Sequence, residues 1–175
     1  MTALKKGFTL IELLIVMAIL GVLAVVVLVA INPVQQLART RDAGRKSGVG
    51  QIGRAMTAYY TAHGGTYIAE SATWITDLVT AGEISTVPSE ISAGIAGYTA
   101  CPDNIQNNWC YDTTGSPASD AIIYTVLESQ SEDSKCATAS DMPVFAWSTT
   151  DGRGGLICDA DGDLTAGAQT WNPTQ

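Results

Sequence analysis

Lys5-Lys6-Gly7-Phe8-Thr9-Leu10-Ile11-Glu12 stands at the head of this chain, and residues 13–31 follow it without a polar side chain. Across residues 8–31 only Thr9 and Glu12 are polar. At helical rise such a stretch spans roughly 36 Å, enough to cross a bilayer core of about 30 Å. A carboxylate inside a spanning helix costs on the order of 2.5–3.5 kcal/mol at the centre and less near an end. Glu12 therefore either snorkels to the headgroups or waits for a positive partner. Cleavage after Gly7 would supply that partner, because the freed Phe8 amine would lie about one helical turn from Glu12. Between staggered helices, the amine of one copy would meet the carboxylate of the next. Apolar surroundings strengthen such a pair and make either charge costly alone.

Gly7-Phe8-Thr9-Leu10-Ile11-Glu12 resembles the cleavage and methylation signature of type IV pilins and type II secretion pseudopilins. The likeness is close over residues 5–31, looser to about residue 67 and weak beyond. It implies a prepilin peptidase that cuts between Gly7 and Phe8 and then methylates the Phe8 amine. It further implies a single-pass precursor in the cytoplasmic membrane, with its N-terminus inside and lipid around its helix. An inner-membrane assembly platform with a cytoplasmic ATPase would draw identical subunits into a helical filament at the cell surface. An ordinary signal peptide fits worse: its apolar region is shorter, about 7–15 residues, and ends in a small-x-small site, whereas Leu28-Val29-Ala30 has a large first residue. Orientation from charge alone is ambiguous, since Lys5 and Lys6 are balanced by Arg39, Arg41, Arg45 and Lys46 beyond the span. The resemblance places the N-terminus inside; the downstream basic cluster is set apart from the span by Asn32-Pro33 and is expected to act within the filament.

A chain of 175 residues suggests one soluble domain beside the anchor. Its charge is divided unevenly. From Ala55 onward, Lys135 and Arg153 face fifteen acidic residues. Such a surface repels phosphate backbones and argues against direct nucleic-acid binding.

After Pro33, apolar residues such as Val34, Leu37, Val49, Ile52 and Met56 recur near helical spacing. Pro33 suits the first turn of a second helical segment, with Asn32 as its cap or as a kink. Gly44, Gly48, Gly50 and Gly53 each weaken that helix by roughly 0.8–1.0 kcal/mol relative to Ala. They read either as sites of close packing or as a helix made soft on purpose. His63, the only histidine, stands beside Gly64-Gly65, where it would meet the last helical carbonyls. Residues 71–79 (SATWITDLV) read as a short helix with Trp74, Ile75, Leu78 and Val79 inward. Residues 121–127 (AIIYTVL), 143–149 (PVFAWST) and 155–158 (GLIC) read as strands.

The expected fold is α+β and type IV pilin-like: a long N-terminal helix packed on a small antiparallel sheet. The expected divisions are a leader at 1–7, a membrane or filament-core helix at 8–31, and its amphipathic continuation at 32–63. A variable connecting region at 64–120 and a disulfide-bonded sheet region at 121–175 complete the chain.

Cys101, Cys110, Cys136 and Cys158 all fall in the head. In an oxidising compartment disulfides are the default, and three connectivities are open. Cys101 with Cys110, and Cys136 with Cys158, is the expected set; the second bridge resembles the loop-closing disulfide of many pilins. Asp159, Asp161 and Asp163 alternate in a tight loop, with Asp151 nearby. They read either as a solvated acidic turn or as a calcium site, like the carboxylate-rich loop of major pseudopilins. The EF-hand pattern itself fails: glycine falls too early, and Thr170 stands where a glutamate is needed. No cofactor is required otherwise, and no catalytic arrangement is visible. The expected function is a structural, non-enzymatic pilus subunit. The alternatives are a major pseudopilin of a type II secretion system, which would lie in the periplasm, and a minor pilin used in adhesion or DNA uptake.

Overall fold

The computed structural model describes residues 7–89, 105–138 and 140–173. The chain divides into two compact units, Met1–Leu37 and Ala38–Gln175.

The first unit is dominated by helix α1, Leu10–Ile31. It is apolar on every side, and none of its residues is buried. Thr9 is the N-cap, so the helix starts two residues later than the apolar stretch itself; Gly7 and Phe8 precede it. The helix stops at Asn32, which adopts a left-handed conformation with φ 45°. The Asn32 carbonyl accepts from the amides of Gln35 and Gln36 at 3.1 and 3.3 Å. Helix α2, Pro33–Ala62, begins at once. Proline suits this place because a first-turn residue has no helical carbonyl to bond.

In the second unit, the α2 residues Ala38, Asp42, Arg45, Val49, Ile52 and Met56 form one buried stripe. The helix ends where His63 stacks on Tyr59, with ring centroids 3.8 Å apart. His63 Nδ1 lies 3.0 Å from the Tyr59 carbonyl. A short helix, α3, spans Trp74–Thr80 and buries Trp74, Ile75 and Leu78.

The sheet is an antiparallel meander ordered β1-β2-β3-β4. Its strands are β1 Cys110–Thr114, β2 Asp120–Val126, β3 Met142–Ser148 and β4 Arg153–Asp159. One strand more than the sequence suggests is present. β1 falls inside the region assigned to connection, because Cys-Tyr-Asp-Thr-Thr is short, half polar and at the sheet edge. A one-turn helix, α4 Gln130–Asp133, was also not anticipated.

Both faces of β2 are covered, and its side chains alternate between two cores. Ala121 and Ile123 join Val49, Ile52, Met56, Trp74, Trp109 and Tyr111 on the α2 side. Ile122, Tyr124 and Val126 join Val144, Ala146, Ile157 and Leu164 on the other. No helix covers that second face among the described residues; the C-terminal segment does. It is pinned by separate bonds: Ala166 N–H to Asp112 at 2.6 Å, Gln169 N–H to Asp151 at 3.0 Å and Asn172 N–H to the Leu156 carbonyl at 2.8 Å. The disulfide between Cys136 and Cys158 ties the α4 corner to β4.

A buried ionic network fastens α2 to the corner between β2 and α4. Asp42 pairs with Arg45 at 2.7 Å and accepts from the amides of Glu128 and Ser129 at 3.0 and 2.8 Å. Arg45 also reaches Glu128 at 3.2 Å, and Arg41 pairs with the same carboxylate. Nearby, Glu132 sits between Lys46 at 2.7 Å and Lys135 at 3.0 Å. Burial pushes the Glu132 carboxyl up, but the two ammonium groups outweigh it and hold it below the ordinary range. Three of the four cations in the basic cluster beyond the span, Arg41, Arg45 and Lys46, are thus engaged by the chain's own carboxylates.

The helix glycines divide into two kinds. A Cβ on Gly48 would lie 2.2 Å from Trp109, and one on Gly53 would lie 2.4 Å from Trp147. Gly44 is exposed, and a Cβ on Gly50 would meet nothing nearer than Arg54 at 3.6 Å. Gly48→Ala and Gly53→Ala should each destabilise the full chain in detergent by about 1–3 kcal/mol through overpacking. Gly50→Ala should instead stabilise by up to ~1 kcal/mol. Urea unfolding followed by tryptophan fluorescence checks this, and equal effects at all three positions would contradict it. Asp42→Ala should cost about 3–5 kcal/mol in the same measurement, because it strips Arg45 of a buried partner.

Candidate functional site

The residues around the N-terminus of α1 form the site that sequence singles out. Gly7 has no neighbouring atom within 4 Å of where a Cβ would stand, and Phe8 is 83% exposed. The Gly7–Phe8 peptide bond therefore lies outside the helix and open to an enzyme. Lys5 and Lys6 of the expected leader lie outside the described residues.

Thr9 and Glu12 form a capping box. Glu12 Oε2 accepts from the Thr9 backbone N–H and from its hydroxyl, both at 2.8 Å. In return the Thr9 hydroxyl oxygen accepts from the Glu12 amide at 3.3 Å. The carboxylate is thus folded back over the first turn, toward Phe8 and the positive end of the helix dipole. Both bonds use Oε2; Oε1 accepts none among the described residues. The site can therefore hold Glu12 in place and still offer an oxygen to a cation. Thr9 was not singled out from sequence, although Thr-x-x-Glu before an apolar run carries the capping signal.

The other candidate residues lie elsewhere. Cys136 and Cys158 are bonded to each other. Cys110 is disulfide-bonded as well, and Cys101, its expected partner, lies outside the described residues. The acidic loop does not gather its carboxylates. Asp159 Oδ1 accepts from the amides of Asp161 and Gly162 at 3.2 and 3.0 Å, and Asp161 Oδ1 from the amide of Asp163 at 3.2 Å. Asp163 Oδ1 takes the Tyr124 hydroxyl at 2.9 Å. Burial and then that carboxylate push the Tyr124 phenol above its usual range. Asp151 serves Gln169 and the Trp171 indole. Among the described residues, no three acidic, histidine or cysteine side chains are placed to hold one metal ion. Calcium takes six to eight oxygens, so binding here would require the loop to release these bonds and turn its carboxylates to one point.

A family model described as the prokaryotic N-terminal methylation motif matches residues 3–28. A fimbrial protein of Neisseria meningitidis is 33% identical over 120 residues, covering 61% of this chain and 62% of that one. The type IV major pilin protein PilE1 of Neisseria gonorrhoeae is 45% identical over 69 residues, covering 37% of this chain and 38% of the relative. The chain thus spans less than two thirds of the length of these relatives. No solved structure gives a significant match. The methylation motif over residues 3–28 and the likeness to these pilins, joined to an apolar helix and a four-stranded antiparallel sheet, make this chain similar to type IV pilins.

Proposed function

We propose that this chain is a structural subunit of a type IV pilus filament, cut after Gly7, methylated at the Phe8 amine and polymerised through α1. The observation that carries this reading is the uncovered surface of α1. Seventeen large apolar side chains, from Leu10 to Ile31, are more than 40% exposed. At about 1.5–3 kcal/mol for each when fully buried, roughly 25–50 kcal/mol is at stake. A helix with such a surface has to lie in lipid or against other apolar helices, and a filament core of like helices supplies the second environment. Calcium and other cofactors have no part in this reading.

The precursor would lie in the cytoplasmic membrane with its N-terminus inside. A prepilin peptidase would cut it there, and an assembly platform driven by a cytoplasmic ATPase would lift it out. Thr9 holds Glu12 through one oxygen and leaves the other for the Phe8 amine of a neighbouring copy. That pairing sets the axial register of the stack.

Glu12→Ala should leave cleavage at Gly7 intact and remove the subunit from sheared extracellular fibres. Quantifying processed chain in the sheared and membrane fractions tests this; normal incorporation of the variant would refute the register role. Replacing Gly7 by leucine should leave full-length precursor in the membrane. Cleavage of Gly7→Leu at the wild-type rate, seen by N-terminal analysis, would discard the processing site. If the wild-type chain starts at Phe8 yet never leaves the envelope, the pilus reading gives way to a pseudopilus.

A further inference from the structure

Sorting the charges of the second unit by partner leaves a residue-specific imbalance. Arg41, Arg45, Lys46 and Lys135 are ion-paired within the chain. Arg153 lies over the Trp171 ring at 4.5 Å. Arg39 and Arg54 alone make no ion pair, hydrogen bond or ring contact among the described residues. Both are exposed on α2.

They also share a face. Fifteen residues of helix separate them, a rotation of only about 60° from exact alignment and a rise of about 22 Å. Ala43, Ser47 and Gly50 lie between them at steps of four, four and three, on the side away from the buried stripe. No long side chain on that line screens the two guanidinium groups. Among the described residues, Asp77, Asp133, Asp161 and Asp163 are exposed and have no salt-bridge partner, although Asp161 and Asp163 each accept one hydrogen bond within the head; the exposed Arg153 and His63 are held by ring contacts instead. A chain with two unpaired cations on one face and many unpaired carboxylates on others is complementary to itself.

We propose that the α2 face bounded by Arg39 and Arg54 is a docking surface for the acidic head of a second copy of this chain. This rests on the filament reading but concerns a different contact from the pairing of Glu12 with Phe8. Arginine suits it, because a guanidinium forms paired bonds with a carboxylate and is more weakly hydrated than an ammonium group. Complementary charge of this kind orients the approach of two copies and selects their register.

The test places a photo-crosslinking residue at Ser47, between the two arginines, in the full chain expressed in cells, with intact mass confirming folded, disulfide-bonded material. Illumination should give a dimer adduct whose mass-spectrometric fragments join α2 to an acid-bearing head peptide of a second copy. Arg39→Glu with Arg54→Glu should abolish that adduct, Arg39→Lys with Arg54→Lys should retain part of it, and about 0.5 M salt on isolated membranes should weaken it through screening. A dimer adduct that survives the double charge reversal undiminished would overturn the proposal. So would adducts formed only with lipid or with a different protein. Fibres are scored separately by shearing: an arginine-dependent dimer without fibres would keep this contact and retire the pilus reading.

Discussion

A carboxylate and a long apolar helix are poor neighbours, and the first unit of this molecule is organised by that conflict. Nothing in α1 is buried, so the helix has to be solvated by something other than water. Glu12 is tolerated in it because Thr9 turns it into the cap of the first turn. The same two bonds satisfy a backbone amide that no helical carbonyl can reach. The capping box thus lowers the cost of a charge at the end of an apolar helix and aims that charge toward Phe8.

The head meets a different demand, that of fixing a long helix to a small sheet. Apolar contact accounts for one layer, with Trp109 and Trp147 seated against glycines of α2. Ionic contact accounts for another. Asp42 and Arg45 sit one helical turn apart on the buried side and meet Glu128 just past the end of β2. A buried network of this kind adds little net stability compared with apolar packing, but it tolerates almost no change of register. Sliding α2 by one turn would carry the Asp42–Arg45 pair along intact but separate Arg41, Asp42 and Arg45 from Glu128 and Ser129.

Much of this was legible in the sequence, and the failures are instructive. The Gly-Phe-Thr-Leu-Ile-Glu stretch is legible because it falls within the N-terminal methylation motif, which residues 3–28 match. The runs of branched and aromatic residues in β2 and β3 are readable because both strands are mostly buried, which forces an apolar composition. β1 escaped because only Cys110 and Tyr111 of its five residues are buried and the remaining three are polar; Asp112 spends its side chain on the Ala166 amide. The ion pairs escaped because Arg45 and Glu128 are far apart in sequence, and a basic cluster looks the same whether its partners lie in the same chain or in another. The aspartate loop stays open to two readings for a related reason: alternation supplies oxygens, and here the backbone amides of the turn and the Tyr124 hydroxyl take up several of them.

The way the second face of the sheet is closed has a consequence for how the molecule can change. A covering helix or strand would be constrained along its whole length by its ladder of backbone bonds. The C-terminal segment is held at a few points, through Asp112, Asp151 and the Leu156 carbonyl. Between them Ala168 and Thr170 face solvent and carry no apolar contact of the core. Substitution or short insertion at those positions changes the outward chemistry of the head without reaching the strands beneath. Surface identity and foldability are thereby separated, so that one scaffold can present many different exteriors.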